Sequence, residues 1–173
     1  MVTRPLTGEP LALDLLNTRW VDRGRRLDAL DEPGGVGAWL AEHGFTTPAA
    51  EAEEPLRRVR DALLAVLQTP GGESERALND ILSRGSVRYT LQDATPGEEV
   101  QAAPGWLPAW RAAVSYLKLA GDHPERIRRC GNPDCTLYFY DTSRNGARRW
   151  CAMNLCGNRL KASRHYERAR TRS

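Results

Sequence analysis

The chain has 173 residues, of which 40% are hydrophobic and 27% charged, with a formal net charge of +3. That length suits one packed domain with a small appendage. No run of eighteen apolar residues occurs, which excludes a membrane-spanning helix, and the start lacks the apolar stretch and small-residue cleavage site of a signal peptide, so the expectation is a cytosolic protein.

The net charge conceals an asymmetry. Residues 1–123 carry 13 Lys+Arg and 18 Asp+Glu, whereas residues 124–173 carry 12 Lys+Arg and 4 Asp+Glu. An acidic body is thus followed by a basic tail, and a short basic module points to a polyanionic partner. The competing reading is a solvated tail that only aids solubility.

In chain order, Glu9 to Asp22 reads as a helix, with Leu11, Ala12, Leu15, Leu16 and Trp20 as its apolar stripe. Asp14, Asn17 and Thr18 share a second, polar face of that helix. They are candidates for a ligand pocket; the alternative is a buried face bonded internally to an arginine. Val36 to His43 reads as a short helix stopped by Gly44. Thr47-Pro48 signals a capped helix start, followed by the apolar face of Leu56, Val59, Leu63, Val66 and Leu67. Thr69 to Gly72 ends it, and Glu73 to Ser83 is helical again.

The period then changes. Val87, Tyr89 and Leu91 alternate with polar residues, which predicts a strand; Asp93 to Gly97 is a turn and Glu98 to Ala103 the return strand. Trp106 to Ala120 is a helix with Trp110, Ala113, Val114 and Leu117 inward, and Gly121 to Pro124 bounds the basic module. The body holds no Gly-rich phosphate loop and no nucleophile–base pair. His43 and His123 sit beside helix ends and read as surface or capping residues. The chain is therefore expected to be no enzyme.

All four cysteines lie in the stretch CGNPDCTLYFYDTSRNGARRWCAMNLCGNR, as two C-x4-C pairs, Cys130/Cys135 and Cys151/Cys156. In a reducing cytosol this favours thiolates holding one structural zinc over disulfides or free thiols. The reading places a strand at Thr136–Tyr140, a turn at Asp141–Gly146 and a return strand at Ala147–Trp150, closing a hairpin with Cys135 and Cys151 at its open end. A helix from Asn154 to Arg170 would carry Cys156 in its first turn. Knuckle, hairpin and ligand-bearing helix make a treble-clef-like module. The fold class is thus mainly α with a small β-hairpin: a helical domain at 1–123 and a zinc module at 124–173. A module this small needs its metal to fold, so chelation should unfold it and leave the body helical.

Candidate nucleic-acid contacts are Arg144, Arg148 and Arg149 around the hairpin, and Arg159, Lys161, Arg164 and Arg168 on the terminal helix. Phe139 and Trp150 read as a mini-core, Asp141 as a turn residue able to pair with an arginine, and Gly157 and Asn158 as N–H donors to sulfur.

The sequence from Cys130, with Cys156-Gly157-Asn158-Arg159, the Asp141–Asn145 turn and Arg148–Cys151, resembles the CGNR zinc-finger family, and LALDLLNT at Leu11–Thr18 resembles the start of an ABATE domain. The resemblance implies a bacterial, cytoplasmic, zinc-binding transcription regulator linked to stress responses, with DNA as partner and the front domain as sensor. It carries the four cysteines over as ligands, and Arg159 as a family position without a role. The alternative class is a zinc-stabilised protein-interaction module without DNA contact. A small-molecule effector and a homodimer are compatible with the sequence without being specified by it.

Overall fold

The structure, a computed structural model, describes residues 3–157. Five α-helices and three two-stranded antiparallel sheets are present among them. The chain runs α1 (Leu11–Leu16), β1 (Arg19–Asp22), β2 (Arg25–Asp28), α2 (Gly35–Glu42), α3 (Ala49–Gln68), α4 (Gly72–Leu82), β3 (Gly85–Gln92), β4 (Thr95–Ala102), α5 (Leu107–Asp122), β5 (Ile127–Arg129) and β6 (Tyr138–Tyr140). The architecture is mixed rather than mainly α, with three two-stranded sheets where the sequence reading expects two hairpins.

The central element is α1. At 6 residues it is too short to hold its conformation alone. Ala12, Leu13 and Leu15 are completely buried, and each leucine enclosed this way contributes about 1.5–3 kcal/mol. They meet Leu56, Val59 and Leu63 of α3 and Ala109, Ala112 and Ala113 of α5 in one core. The long helix read from Glu9 to Asp22 does not form. The chain leaves the helix at Asn17 and makes the β1–β2 hairpin, whose two-residue loop, Arg23-Gly24, has φ values of 48° and 78°. A paired positive-φ loop is the turn that matches strand twist. It redirects Trp20 from a helix stripe into a second apolar cluster around the cysteines.

The helices α2 to α5 follow the sequence reading closely. Pro48 stands just outside α3 with no side-chain cap, so Thr47 does not act as the predicted capping hydroxyl. Pro55 lies inside α3 and lacks the N–H that would bond the Glu51 carbonyl. The backbone of Gly105 (φ 74°) lies against that carbonyl, where a β-carbon would stand 2.4 Å from the oxygen. Leu117, expected inward, is 46% exposed on α5. In β4 the return strand begins at Thr95, three residues earlier than expected, because Asp93 and Ala94 alone make the loop.

The largest difference concerns the stretch between the inner cysteines. Strand β6 pairs with β5, upstream of the first knuckle, in the register Ile127–Tyr140, Arg128–Phe139 and Arg129–Tyr138. Residues 147–150 form no strand. The buried Asp141 carboxylate is the physical reason. It accepts from the Ser143 N–H (2.9 Å), the Ser143 hydroxyl (2.6 Å) and the Arg148 N–H (2.9 Å). These bonds fold 141–148 into a compact loop and take the Arg148 N–H that a strand ladder would need. The terminal helix expected from Asn154 onward is described only as one wide turn at Met153–Gly157; the rest of it lies outside the described residues.

Candidate metal centre and its attachment to the body

The β5–β6 pair brings its connecting loop into a knuckle. Cys130 N–H donates to the Leu137 carbonyl (2.9 Å) and Cys135 N–H to the Asn132 carbonyl (2.9 Å). Gly131 N–H donates to the Arg149 carbonyl (2.8 Å), which ties the first cysteine loop to the approach of the second. A β-carbon at Gly131 would sit 3.0 Å from that oxygen and 3.1 Å from the Trp150 ring, so this crossing favours glycine.

The result is four buried sulfurs, from Cys130, Cys135, Cys151 and Cys156, all within 4.8 Å of one another. Cys135 and Cys151 are 3.9 Å apart, and Cys151 and Cys156 3.7 Å. A tetrahedral zinc with Zn–S bonds near 2.3 Å has sulfur–sulfur edges of about 3.8 Å, whereas a disulfide requires about 2.05 Å. The donor set fits zinc, and no pair is bridged.

The electrostatics agree. Hydrogen bonding from the Cys151 thiol lowers the pKa of Cys135 to about 6. The bond to Cys135 raises Cys151, with burial and neighbouring sulfur charge adding to it. Burial, only partly offset by Asn132, pushes Cys156 up to about 11. Four thiolates cannot share this space without a central cation, and a divalent ion supplies the missing charge. Two N–H donors also reach the sulfurs: Cys151 N–H to Cys130 Sγ (3.4 Å) and Asn132 Nδ2–H to Cys156 Sγ (3.5 Å). Asn132 is the donor that sequence reasoning missed; its position inside the first knuckle was the available signal. Gly157, expected as such a donor, gives its N–H to the Ala152 carbonyl instead, and Asn158 lies outside the described residues.

The arginines divide by what they touch. Arg148 is half-buried and held by several partners. It donates to the carbonyls of Trp150 (3.0 Å) and Cys151, bonds Glu9 (3.4 Å), and lies 4.3 Å over the Phe139 ring. That makes it a brace of the second ligand loop rather than a free surface cation. Arg144 and Arg149 are exposed, and Arg149 lies 5.4 Å over the Trp150 ring. Arg129, not singled out from the sequence although it directly precedes Cys130, is also exposed and reaches the Cys135 carbonyl at 3.5 Å. Arg159, Lys161, Arg164 and Arg168 lie outside the described residues.

The polar face of α1 is fully enclosed. Asp14 accepts from Arg4 (2.5 Å), Trp39 Nε1 (3.0 Å) and the Gly8 N–H (3.2 Å), with His43 Nε2 at 2.9 Å. Thr18 donates to the Leu15 carbonyl (2.6 Å) and accepts from Arg60 (2.7 Å). Asn17 bonds both backbone groups of Tyr138. All three side chains are completely buried, so none opens to solvent as a pocket wall. Internal bonding to an arginine is what Asp14 and Thr18 display. Arg60, itself buried, was missed; it falls on the inward stripe of α3 between Val59 and Leu63, an unusual place for a guanidinium, and that was the signal. It pairs with Asp28 through both terminal nitrogens, at 2.7 and 2.6 Å.

A second contact joins body and module. Glu9, at the head of α1, accepts from the Tyr140 N–H (2.9 Å) and from Arg148. The residues flanking α1, Glu9 and Asn17, thus both bond β6, and Glu9 is linked through Arg148 to the carbonyl of a zinc ligand.

A helical body clasped to a buried four-sulfur site defines a zinc-finger protein with one structural zinc. Residues 9–123 match the ABATE family, described as "Putative stress-induced transcription regulator", and residues 126–169 match the CGNR zinc finger. The first match spans well over half of the chain, and the chain belongs to the ABATE family with a CGNR zinc finger following the ABATE region. A search of curated proteins returns no match. No helix among the described residues is long and apolar enough to cross a membrane.

Proposed function

We propose that the protein is a cytoplasmic transcription regulator that contacts duplex DNA through the zinc module. The observation that carries this reading is the set of exposed arginines fixed to the metal frame. Arg129 and Arg149 flank ligand loops tied by the Gly131–Arg149 bond, and Arg144 lies on the Asp141 loop. Cations held on a rigid frame lose little conformational entropy on meeting phosphates, and each contact releases counterions. The basic balance of residues 124–173 supports the same partner. Four thiolates fill the zinc, so its role in this reading is structural and the protein is not an enzyme. The ABATE body modulates the module through α1.

The test is titration of zinc-loaded full-length protein with random-sequence duplex at two salt concentrations. Affinity falls steeply with salt, and Arg129→Glu with Arg149→Glu weakens binding while zinc content stays at one per chain. Unchanged affinity in the double variant, or no binding at low salt, overturns the reading in favour of a protein-interaction module.

A further inference from the structure

The β3–β4 hairpin leaves the body at a tight root. Gly85 packs under the Trp110 ring, where a β-carbon would stand 2.7 Å from ring atoms, and Ala103 N–H donates to the Arg84 carbonyl (2.8 Å). Beyond the root it reaches into solvent, with Tyr89 77% and Leu91 73% exposed. Two strands without a further partner are marginal in water, and apolar side chains this exposed on a strand call for a covering surface.

The two edges of this hairpin differ. The two-residue loop Asp93-Ala94 closes on the Gln92–Thr95 pair, which is therefore hydrogen-bonded. Alternation along the ladder then turns the backbone groups of Gly85, Val87, Tyr89 and Leu91 outward on β3, and those of Pro96, Glu98, Val100 and Ala102 outward on β4. The β4 edge is blunted: Pro96 has no N–H to offer, and Glu98 adds a charge. The β3 edge carries neither device. All four of its outward residues can donate, and Val87, Tyr89 and Leu91 place apolar side chains on one face. Among the described residues no strand pairs with it.

Charge narrows the occupant. The hairpin holds Arg88 against Asp93, Glu98 and Glu99, and Arg88 is paired with Glu99. This disfavours a nucleic acid. Two self-pairing registers give antiparallel β3 strands equal and maximal overlap, one centred on Arg88 and one on Tyr89. The first sets two guanidinium groups directly opposite each other; the second sets Arg88 opposite the partner's Thr90 and Val87 opposite the partner's Leu91, with no like-charge contact.

We propose that β3 is a dimerisation edge, joining two copies of this chain antiparallel with Tyr89 opposite the partner's Tyr89 in a four-stranded sheet. The pairing is independent of the nucleic-acid reading.

Sedimentation equilibrium of the zinc-loaded full-length protein tests it, with circular dichroism and zinc content as fold controls. The wild-type chain sediments as a dimer. Val87→Pro deletes an outward N–H without touching the β3–β4 ladder and gives a monomer; Glu98→Pro, the matching change on the blunted edge, leaves the dimer intact. Where Val87→Pro fails its fold controls, Thr90 decides. Thr90→Glu faces the partner's Arg88 and tightens the dimer, while Thr90→Arg loosens it, the two dissociation constants differing by roughly tenfold for two cross-strand pairs per dimer. A monomeric wild type, a dimer indifferent to Val87→Pro, or equal responses of the two Thr90 variants overturns the proposal.

Discussion

Asn17 and Tyr138 are 121 positions apart, yet the side-chain amide of one pairs with the backbone of the other as a strand would, donating to the Tyr138 carbonyl and accepting from its N–H, both at 2.9 Å. The β6 strand therefore has β5 on one side and a helix side chain on the other. Both groups are buried, and buried backbone polar groups must be satisfied.

Asn17→Ala should cost about 2–4 kcal/mol, because it leaves an N–H and a carbonyl of β6 without partners in the interior. Urea unfolding of the zinc-loaded protein measures the loss, and amide exchange at Tyr138 should accelerate well beyond that of α3. Wild-type stability in this variant would show that water replaces the amide.

Arg148→Lys keeps the charge but loses the planar fork that reaches Trp150, Cys151 and Glu9 together. The expected outcome is weaker zinc retention against a competing chelator, by about tenfold, as for other groups that orient metal ligands. Arg144→Lys, at an exposed site, should leave retention unchanged. Equal retention in both would return Arg148 to the surface cations.

Metal removal should act beyond the module. The cysteine cluster also buries Trp20 of β1 and packs against Leu6, Leu27 and Trp150. Stripping zinc should preserve the far-ultraviolet signal of α3, α4 and α5 but shift tryptophan emission to longer wavelength as Trp20 meets water. Elemental analysis before treatment should give one zinc per chain. Unchanged emission after full metal loss would contradict the shared cluster.

Acid stability should report on Asp28. Its burial, the largest single influence, favours the neutral acid, but the Arg60 guanidinium together with the Leu30 N–H and Arg19 outweighs this and holds the carboxyl below its usual range. A carboxylate whose folded pKa lies below its unfolded value stabilises fully above about pH 4 and loses that contribution as pH falls through the folded value. Asp28→Asn leaves Arg60 buried without its counter-charge and should cost about 3–5 kcal/mol at neutral pH. The difference between wild type and variant should then shrink as pH drops below 4, whereas zinc loss, common to both, cancels. A difference that stays constant with pH would remove the ion pair from the account.

Local patterning was informative wherever an element's identity follows from its own face. The stripe from Leu56 to Leu67 specified α3, and the alternation at Val87, Tyr89 and Leu91 specified β3. It failed at Trp20, where a residue compatible with a helix stripe belongs to a hairpin, because a short helix and a turn can share one apolar spacing. It failed again at Ala147–Trp150, where Asn-Gly promised a hairpin but the Asp141 carboxylate collected the loop's N–H groups first.

The amino-acid order by itself determined the four-sulfur zinc site, the long helices and the separation of acidic body from basic tail, since ligand type, apolar period and charge are properties of residues and their spacing. Only the tertiary structure decided that β6 pairs upstream, that Arg148 braces a ligand loop, and that Asp14, Asn17 and Thr18 face inward to bonded partners. A buried polar group takes whichever partner the packing of distant segments brings within 3 Å, and that choice is made by the burial of the whole core rather than by any neighbour in the chain.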